Sequence, residues 1–124
     1  PPEGGARTGG VRGAGLRAGE LYRRNGVPMA YGSDLLGPMH ERQSEEFAIR
    51  AQVLTPHEAI QGATSIAAQV LRMEGRLGVV APGAEADLIA VDGDPLRDLS
   101  LLGDQGRHMP LIMKGGVAVK NEVG

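Results

Sequence analysis

One stretch of the chain has residue types suited to chemistry, and its central residue is Asp34. The apolar run at residues 27–31 is typical of a buried strand, because a parallel strand covered on both faces need not alternate. Gly32 follows, and Asp34 comes just past the expected C-terminal end of that strand. Ligands of α/β folds bind at this end of the sheet, so the sequence predicts that Asp34 lies in a functional site.

Other polar residues with catalytic potential are few. His40 ends the loop after Asp34, and its plain interpretation is a solvated loop residue. His57 is the second residue of a predicted capped helix, and His108 lies in a predicted loop, so both are expected to be structural or exposed. The neighbouring carboxylates at positions 45 and 46 fit a solvated helix face better than an acid–base pair.

Composition excludes several classes of protein. The 124 residues include no Cys, which rules out disulfides and thiolate metal sites. The net charge of -2 gives no general attraction to nucleic acid or anionic membrane, and no apolar run approaches the roughly 20 residues of a membrane span. We expect neither partner and a cytoplasmic location. A signal peptide lost before Pro1 stays an open alternative.

The N-terminal residues differ in composition from the rest of the chain. Residues 1–19 hold seven Gly and three Arg, with too little apolar surface to offset ordering entropy, and are predicted to form a flexible lead-in. The run at residues 13–18 formally fits G-x-G-x-x-A, but no strand precedes it, which disfavours a dinucleotide site. A short helix is expected over residues 18–25, with Gly26 in the left-handed conformation at its end.

Local signals predict further helices in residues 20–76. Residues 41–53 are expected to form one amphipathic helix. Thr55, Pro56 and Glu58 predict a helix that starts with a reciprocal capping box. Thr64 and the serine after it are expected to cap a further helix over residues 66–73.

Residues 77–124 are predicted to form a small β unit. Strands are expected at residues 79–80 and 87–92, with a type II turn at Pro82 and Gly83 between them. Two further strands, at residues 111–114 and 117–120, flank Gly115 and Gly116, which is a strong two-residue hairpin signal.

The chain contains four separated motifs over about residues 20–121, namely GVPMAYGSD, TPHEAIQGATSIAAQVL, RLGVVAPGAEADLIAVDGDPLRDL and IMKGGVAVKN. In this order they resemble the C-terminal third of a metal-dependent amidohydrolase. The most similar subgroup is that of the imidazolonepropionase-like and prolidase-like hydrolases. The resemblance implies an α/β fold. The chain would supply the last strand and the closing helices of a (β/α)8 metal-hydrolase barrel, followed by part of a small β-sandwich, and it would be incomplete on its own. Residues 20–76 would belong to the barrel, with residues 27–31 as its eighth strand, and residues 77–124 to the sandwich.

The resemblance also implies roles for two residues. Asp34 corresponds to the carboxylate after the eighth strand, which adjoins or binds a divalent metal, with zinc the expectation, and takes a proton from the attacking water. The loop that ends at His40 borders the substrate in this subgroup, which gives His40 a substrate-binding role. The implied substrate is a small amide, a dipeptide-like molecule or a cyclic amide, hydrolysed at a C–N bond.

The chain departs from the family pattern in its metal ligands. It has no H-x-H, and its two lysines, Lys114 and Lys120, lie in the predicted hairpin. We therefore expect the chain alone to be inactive, to hold no metal, to self-associate, and to need the N-terminal part of the barrel as its partner. The alternative is a non-catalytic docking or folding module, or the remnant of a truncated gene.

Overall fold

A computed structural model describes the backbone of residues 4–124 and the side chains of residue 10 and residues 12–124. The helices are α1 (Gly4–Arg24), α2 (Glu45–Arg50), α3 (Pro56–Ala63) and α4 (Ser65–Val70). Short 3-10 helices lie at Gly37–Arg42, Leu99–Leu102 and Asp104–Gly106, and the strands are β1 (Leu88–Ala90), β2 (Leu111–Lys114) and β3 (Val117–Asn121). Among the described residues, no helix has the length and apolar character needed to cross a membrane.

Helix α1 is longer than the sequence predicts. It begins at Gly4, whereas a helix is expected only from Ala18, so residue 19 marks no break in the structure. Residues 1–3 of the predicted lead-in lie outside the described residues. Glycine disfavours helix by about 1 kcal/mol per residue, so tertiary packing must help here. One such contact is at Gly19, where a Cβ would lie 3.5 Å from a methyl group of Val53.

The C-terminal end of α1 confirms the prediction for Gly26. This residue has φ +66°, and its N–H donates to the carbonyl of Arg23 at 3.1 Å. The N–H of Val27 donates to the carbonyl of Tyr22 at 2.9 Å. This pair of bonds is a Schellman motif, which ends the helix at this glycine.

The predicted strand at residues 27–31 is not part of a sheet. Within the described residues it pairs with no strand, and its Tyr31 N–H donates instead to the carbonyl of Gly62 at 2.8 Å. A strand needs neighbours on which to form its ladder, and the barrel strands expected beside this one are not in the chain.

The helical region confirms some capping predictions and corrects others. In α3, Thr55 Oγ1 accepts from the N–H of Glu58 at 3.2 Å, and Glu58 Oε2 accepts from the N–H of Thr55 at 2.8 Å, so the capping box is confirmed. The helix predicted at 41–53 is instead a 3-10 helix followed by α2. Thr64 does not cap α4, because its hydroxyl donates back to the carbonyl of Ile60 at 2.7 Å.

The β unit is a three-stranded antiparallel sheet of order β1–β2–β3. Gly115 and Gly116 have φ of 56° and 82°, which matches the tight turn predicted for the hairpin. The turn at Gly83 is also confirmed, with φ +86° and a hydrogen bond from the N–H of Ala84 to the carbonyl of Ala81. The strand predicted at residues 79–80 is absent from the described structure, because the chain there forms bends without a partner.

A small core joins the helices to the β unit. It consists of Leu54, Ala59, Leu99 and Leu102, all buried. Phe47 of α2 and Met109, just before β2, pack against it. The helical region and the β unit are therefore held against each other.

Candidate functional site

Asp34 is exposed and has an unusual backbone conformation. Its φ is +50°, in the left-handed region that residues other than glycine seldom adopt, although aspartate tolerates it better than most. No described residue forms a hydrogen bond or ion pair with its carboxylate. The side chain is therefore available to a ligand or to groups from another part of a larger protein.

The backbone that leads to Asp34 is packed against α3. The carbonyl oxygen of Met29 is so close to Gly62 that a Cβ on the glycine would lie only 2.7 Å from it. This approach allows the hydrogen bond from Tyr31 to Gly62, and it fixes the chain a few residues before Asp34. Nothing local in the sequence distinguishes Gly62 from other helical glycines, so this contact has no sequence signal.

The ring of Tyr31 is held on several sides. Its centroid lies 4.6 Å from that of Phe47, and the Arg50 guanidinium lies 5.3 Å from the ring centroid. Arg50 Nε is paired with Glu46 Oε1 at 2.9 Å, with both side chains largely shielded from solvent. Glu46 thus orients Arg50 and is half-buried, so the predicted solvated helix face is wrong for Glu46, whereas Glu45 is exposed as expected.

The Tyr31 hydroxyl donates a hydrogen bond to the carbonyl of Gln43. The pKa of Tyr31 is raised, first by burial and then by the nearby charge of Glu46, while Arg50 acts in the opposite direction. The phenol therefore stays protonated at neutral pH and remains a donor. Through this bond, the chain before Asp34 is tied to the chain after His40.

His40 lies in a groove between the helical region and the β unit. The groove has a volume of about 460 Å³. It is lined by polar and apolar residues from both regions, namely Tyr31, His40, Glu41, Gln43, Ser44, Phe47, Leu102, Gln105, Gly106, Met109 and Ile112. His40 is exposed, so its imidazole can meet a molecule in this groove.

Two other grooves border the same region. One of about 540 Å³ lies between α1 and α2 and is mostly apolar, with Leu16, Tyr22 and Ile49 among its walls. A smaller one of about 160 Å³ includes Ser33 and Leu35, the two neighbours of Asp34. Asp34 lines none of these three grooves, so none of the three joins it to His40.

The metal expected from the resemblance can be compared with the donors present. Among residues 4–124 as described, no three His, Cys, Asp or Glu residues are clustered so that they could hold a metal ion. A zinc site generally needs three or four protein ligands, and Asp34 offers one carboxylate. The described residues therefore do not form a complete metal site.

Comparisons with known proteins add to this geometry. A model of the amidohydrolase family matches residues 12–118. The crystal structure of an amidohydrolase superposes with a TM-score of 0.90 and 48% identity, over 100% of this chain and 30% of the other. The crystal structure of a prolidase complexed with N-methylphosphonate-L-proline superposes with a TM-score of 0.87 and 45% identity, over 98% of this chain and 30% of that one.

A curated relative is the 5-methylthioadenosine/S-adenosylhomocysteine deaminase of Symbiobacterium thermophilum, 34% identical over 84 residues. That match covers 58% of this chain and 19% of the deaminase. The chain thus spans less than a third of the length of the relatives that it matches.

Proposed function

The chain belongs to the amidohydrolase family of metal-dependent hydrolases, and we propose that it supplies the C-terminal portion of an enzyme that hydrolyses a C–N bond. The observation that carries the proposal is the superposition on a prolidase over 98% of the chain at 45% identity. The family implies a TIM-barrel fold, in which residues 27–31 would be the eighth strand and residues 77–124 part of a small β-sandwich.

The proposed substrate is a small amide, and a dipeptide that ends in proline is the favoured class. The prolidase that superposes on this chain was crystallised with a proline-containing phosphonate. Hydrolysis forms a bond from a water oxygen to the carbonyl carbon and breaks the bond from that carbon to nitrogen.

Asp34 is the proposed proton acceptor. An exposed carboxylate at the C-terminal end of the barrel strands can take the proton of the attacking water. It can then return this proton to the departing amine, so that atoms and charges balance. Asp34 is also proposed as one ligand of a divalent metal, with zinc expected. The remaining ligands would come from the part of the enzyme that precedes this chain.

His40 is the proposed substrate-side residue. Its exposed position in the groove of about 460 Å³ supports this role, since a small peptide bound there could reach the imidazole. The Tyr31 bond to Gln43 would keep this loop near the chain that carries Asp34.

The N-terminal part of the barrel is the proposed partner of this chain. Residues 27–31 find no strand partner among the described residues, and large apolar side chains such as Leu36 and Val80 are 78% and 87% exposed. Such surface would be covered in a complete enzyme, and we propose that the chain alone is inactive and self-associates.

Deamination is the second candidate reaction, and the deaminase relative supports it. Both reactions add water and break a C–N bond, so the same carboxylate could serve either. The non-catalytic module or gene remnant is the competing alternative from another class.

The test is to express the complete polypeptide that contains this segment and to assay it on two probes, the dipeptide Ala-Pro and 5′-methylthioadenosine. Release of proline is the expected result. Release of ammonia from the nucleoside, with no proline, would replace peptide hydrolysis by deamination. Absence of turnover on both probes and on a panel of N-acyl amino acids would favour the non-catalytic alternative.

A further inference from the structure

The turn at Asp104–Gly106 has an unusual backbone. Three consecutive residues, Asp104, Gln105 and Gly106, have φ of 53°, 50° and 79°. Only glycine adopts this left-handed region freely, so the first two residues must be held there by their surroundings. Strain of this kind is often found where a functional segment is fixed.

Gln105 forms hydrogen bonds with residues that are distant from it in the sequence. Its side-chain Nε2 donates to the carbonyl of Glu41 at 2.7 Å, and its backbone N–H lies 3.4 Å from Ser44 Oγ as a longer hydrogen bond. These contacts join residues separated by 64 and 61 positions in the sequence. The left-handed turn is therefore hydrogen-bonded to the segment that carries His40.

The turn itself is anchored on its other side. Lys120 of β3 donates from Nζ to the carbonyl of Gly106 at 3.0 Å, and Arg107 pairs with Asp104 at 2.9 Å. The turn is therefore bonded to β3, and from it Gln105 extends to the carbonyl of Glu41.

The His40 segment is consequently held from two directions. The Tyr31 hydroxyl binds the carbonyl of Gln43, and Gln105 binds the carbonyl of Glu41, directly after His40. His40, Tyr31 and Gln105 all line the same groove. The β unit is therefore bonded to the His40 segment through the side chain and the backbone N–H of Gln105.

We propose that Gln105 is a positioning residue that holds the His40 segment at the substrate groove and so sets the affinity for substrate. This inference rests on the proposed function, because it takes the groove beside His40 as the place where substrate binds. Gln105 itself takes no part in the bond-breaking step.

Two substitutions in the complete polypeptide separate positioning from general structural support. Gln105→Gly removes the amide and also suits the left-handed backbone, so the restraint is lost while the turn is relaxed. Gln105→Glu keeps the size and the backbone conformation, but its ionised carboxylate cannot donate to the Glu41 carbonyl. The matched control is Gln52→Ala, an exposed glutamine in the turn after α2.

Hydrogen exchange followed by mass spectrometry reports on the restraint directly. A net hydrogen bond is worth about 0.5–1.5 kcal/mol, so both Gln105 variants should speed exchange of residues 37–43 by about threefold to tenfold. Exchange in β2 and β3 should be unchanged, and the Gln52→Ala control should match the wild type throughout.

Steady-state kinetics with Ala-Pro test whether the restraint affects the affinity for substrate. Both Gln105 variants should raise KM by about threefold to tenfold, with kcat within about twofold of the wild type, because the reacting carboxylate is untouched. Gln105→Gly should give this rise without a lower melting temperature, which a merely structural role would not produce.

Unchanged exchange in residues 37–43 would overturn the restraint, and faster exchange with unchanged KM would overturn its role toward substrate. A wild-type polypeptide that turns over no substrate would contradict the proposed function and the substrate role together. The exchange result would still decide whether Gln105 holds the segment, so the two failures are distinguishable.

Discussion

Helix α3 and the rim segment, defined as residues 27–42, satisfy their polar groups in opposite ways. Helix α3 begins with a capping box in which Thr55 and Glu58 bind each other's backbone N–H. In the rim segment, Asp34 is left-handed and without a partner among the described residues, and His40 is exposed. The start of α3 is fixed by residues next to it in the sequence, whereas the rim segment is held by hydrogen bonds with residues distant in the sequence.

Burial follows the same division. Leu54 and Ala59, beside and within α3, are 7% and 0% exposed, whereas Leu36 of the rim segment is 78% exposed. Exposed apolar side chains near a carboxylate that no described residue pairs with support our proposal that another part of an enzyme covers this segment. The start of α3 is therefore encoded by neighbouring residues, whereas the rim segment depends on contacts with residues that are distant in the sequence.

The largest expected effect is at Asp34 in the complete polypeptide. Asp34→Asn keeps the shape but removes the charge and the proton acceptor, so kcat for Ala-Pro should fall by about 10²–10⁴-fold. Stability should change little, since no described residue pairs with the carboxylate.

The control for that substitution is Asp94→Asn. Asp94 Oδ1 accepts from the N–H of Leu96 at 3.0 Å, and an asparagine oxygen can do the same. This variant should keep wild-type kcat. A loss of less than roughly tenfold in Asp34→Asn would mean that the proton goes elsewhere.

Gly62 links the two regions, and its substitution should disturb both. In Gly62→Ala the new methyl group would lie 2.7 Å from the Met29 carbonyl oxygen, so α3 and the rim segment must separate. The expected cost is about 1–3 kcal/mol in the free energy of unfolding, measured by urea titration of the 124-residue chain at one protein concentration.

Gly32→Ala is the matched control for this steric effect, because a Cβ there meets nothing within 4 Å. It should leave the urea midpoint nearly unchanged. Equal midpoints for the two variants would show that α3 does not clamp the rim segment.

Thr55→Ala should affect stability alone. Loss of the cap is expected to cost about 1 kcal/mol in the free energy of unfolding, and Thr55→Ser should restore most of it, because serine keeps the hydroxyl acceptor. Hydrolysis by the complete polypeptide should be unchanged by either variant. A large fall in kcat for Thr55→Ala would show that the helix cap also supports the site, which contradicts the separation of scaffold from rim segment.

The smallest expected effect is a pH dependence from the same cap. The pKa of Glu58 is lowered, chiefly by the hydrogen bond from the Thr55 backbone N–H, with Arg23 adding to the effect and burial opposing it. A lowered folded-state pKa gives stability that is present above the ordinary value of 4.5 and is lost as pH falls through the folded value. Glu58→Gln should therefore flatten the fall of the urea midpoint between about pH 5 and pH 3.

Much of the scaffold can be predicted from the sequence because its signals are local. The capping box at Thr55, the turn at Gly83 and the hairpin at Gly115 and Gly116 each involve residues within a few positions of one another. Their conformations are set by side-chain donors and by the freedom of glycine. These predictions are confirmed.

The site is less predictable, since it depends on contacts between distant residues. Asp34 can be singled out from its place after an apolar run, but its role stays a prediction. The 64-residue reach from Gln105 to Glu41 and the close approach of Gly62 to Met29 have no local signal. The strand predicted at residues 27–31 is wrong for this chain, because a strand forms only beside another.

Metal content tests most directly the claim that this chain carries one ligand of a site that it cannot complete. The 124-residue chain and the complete polypeptide would be loaded with zinc, dialysed and analysed for bound metal. The chain alone should hold well below one equivalent, and the complete polypeptide at least about one, reduced by Asp34→Asn. Tight stoichiometric binding by the chain alone, lost in Asp34→Asn, would contradict the account.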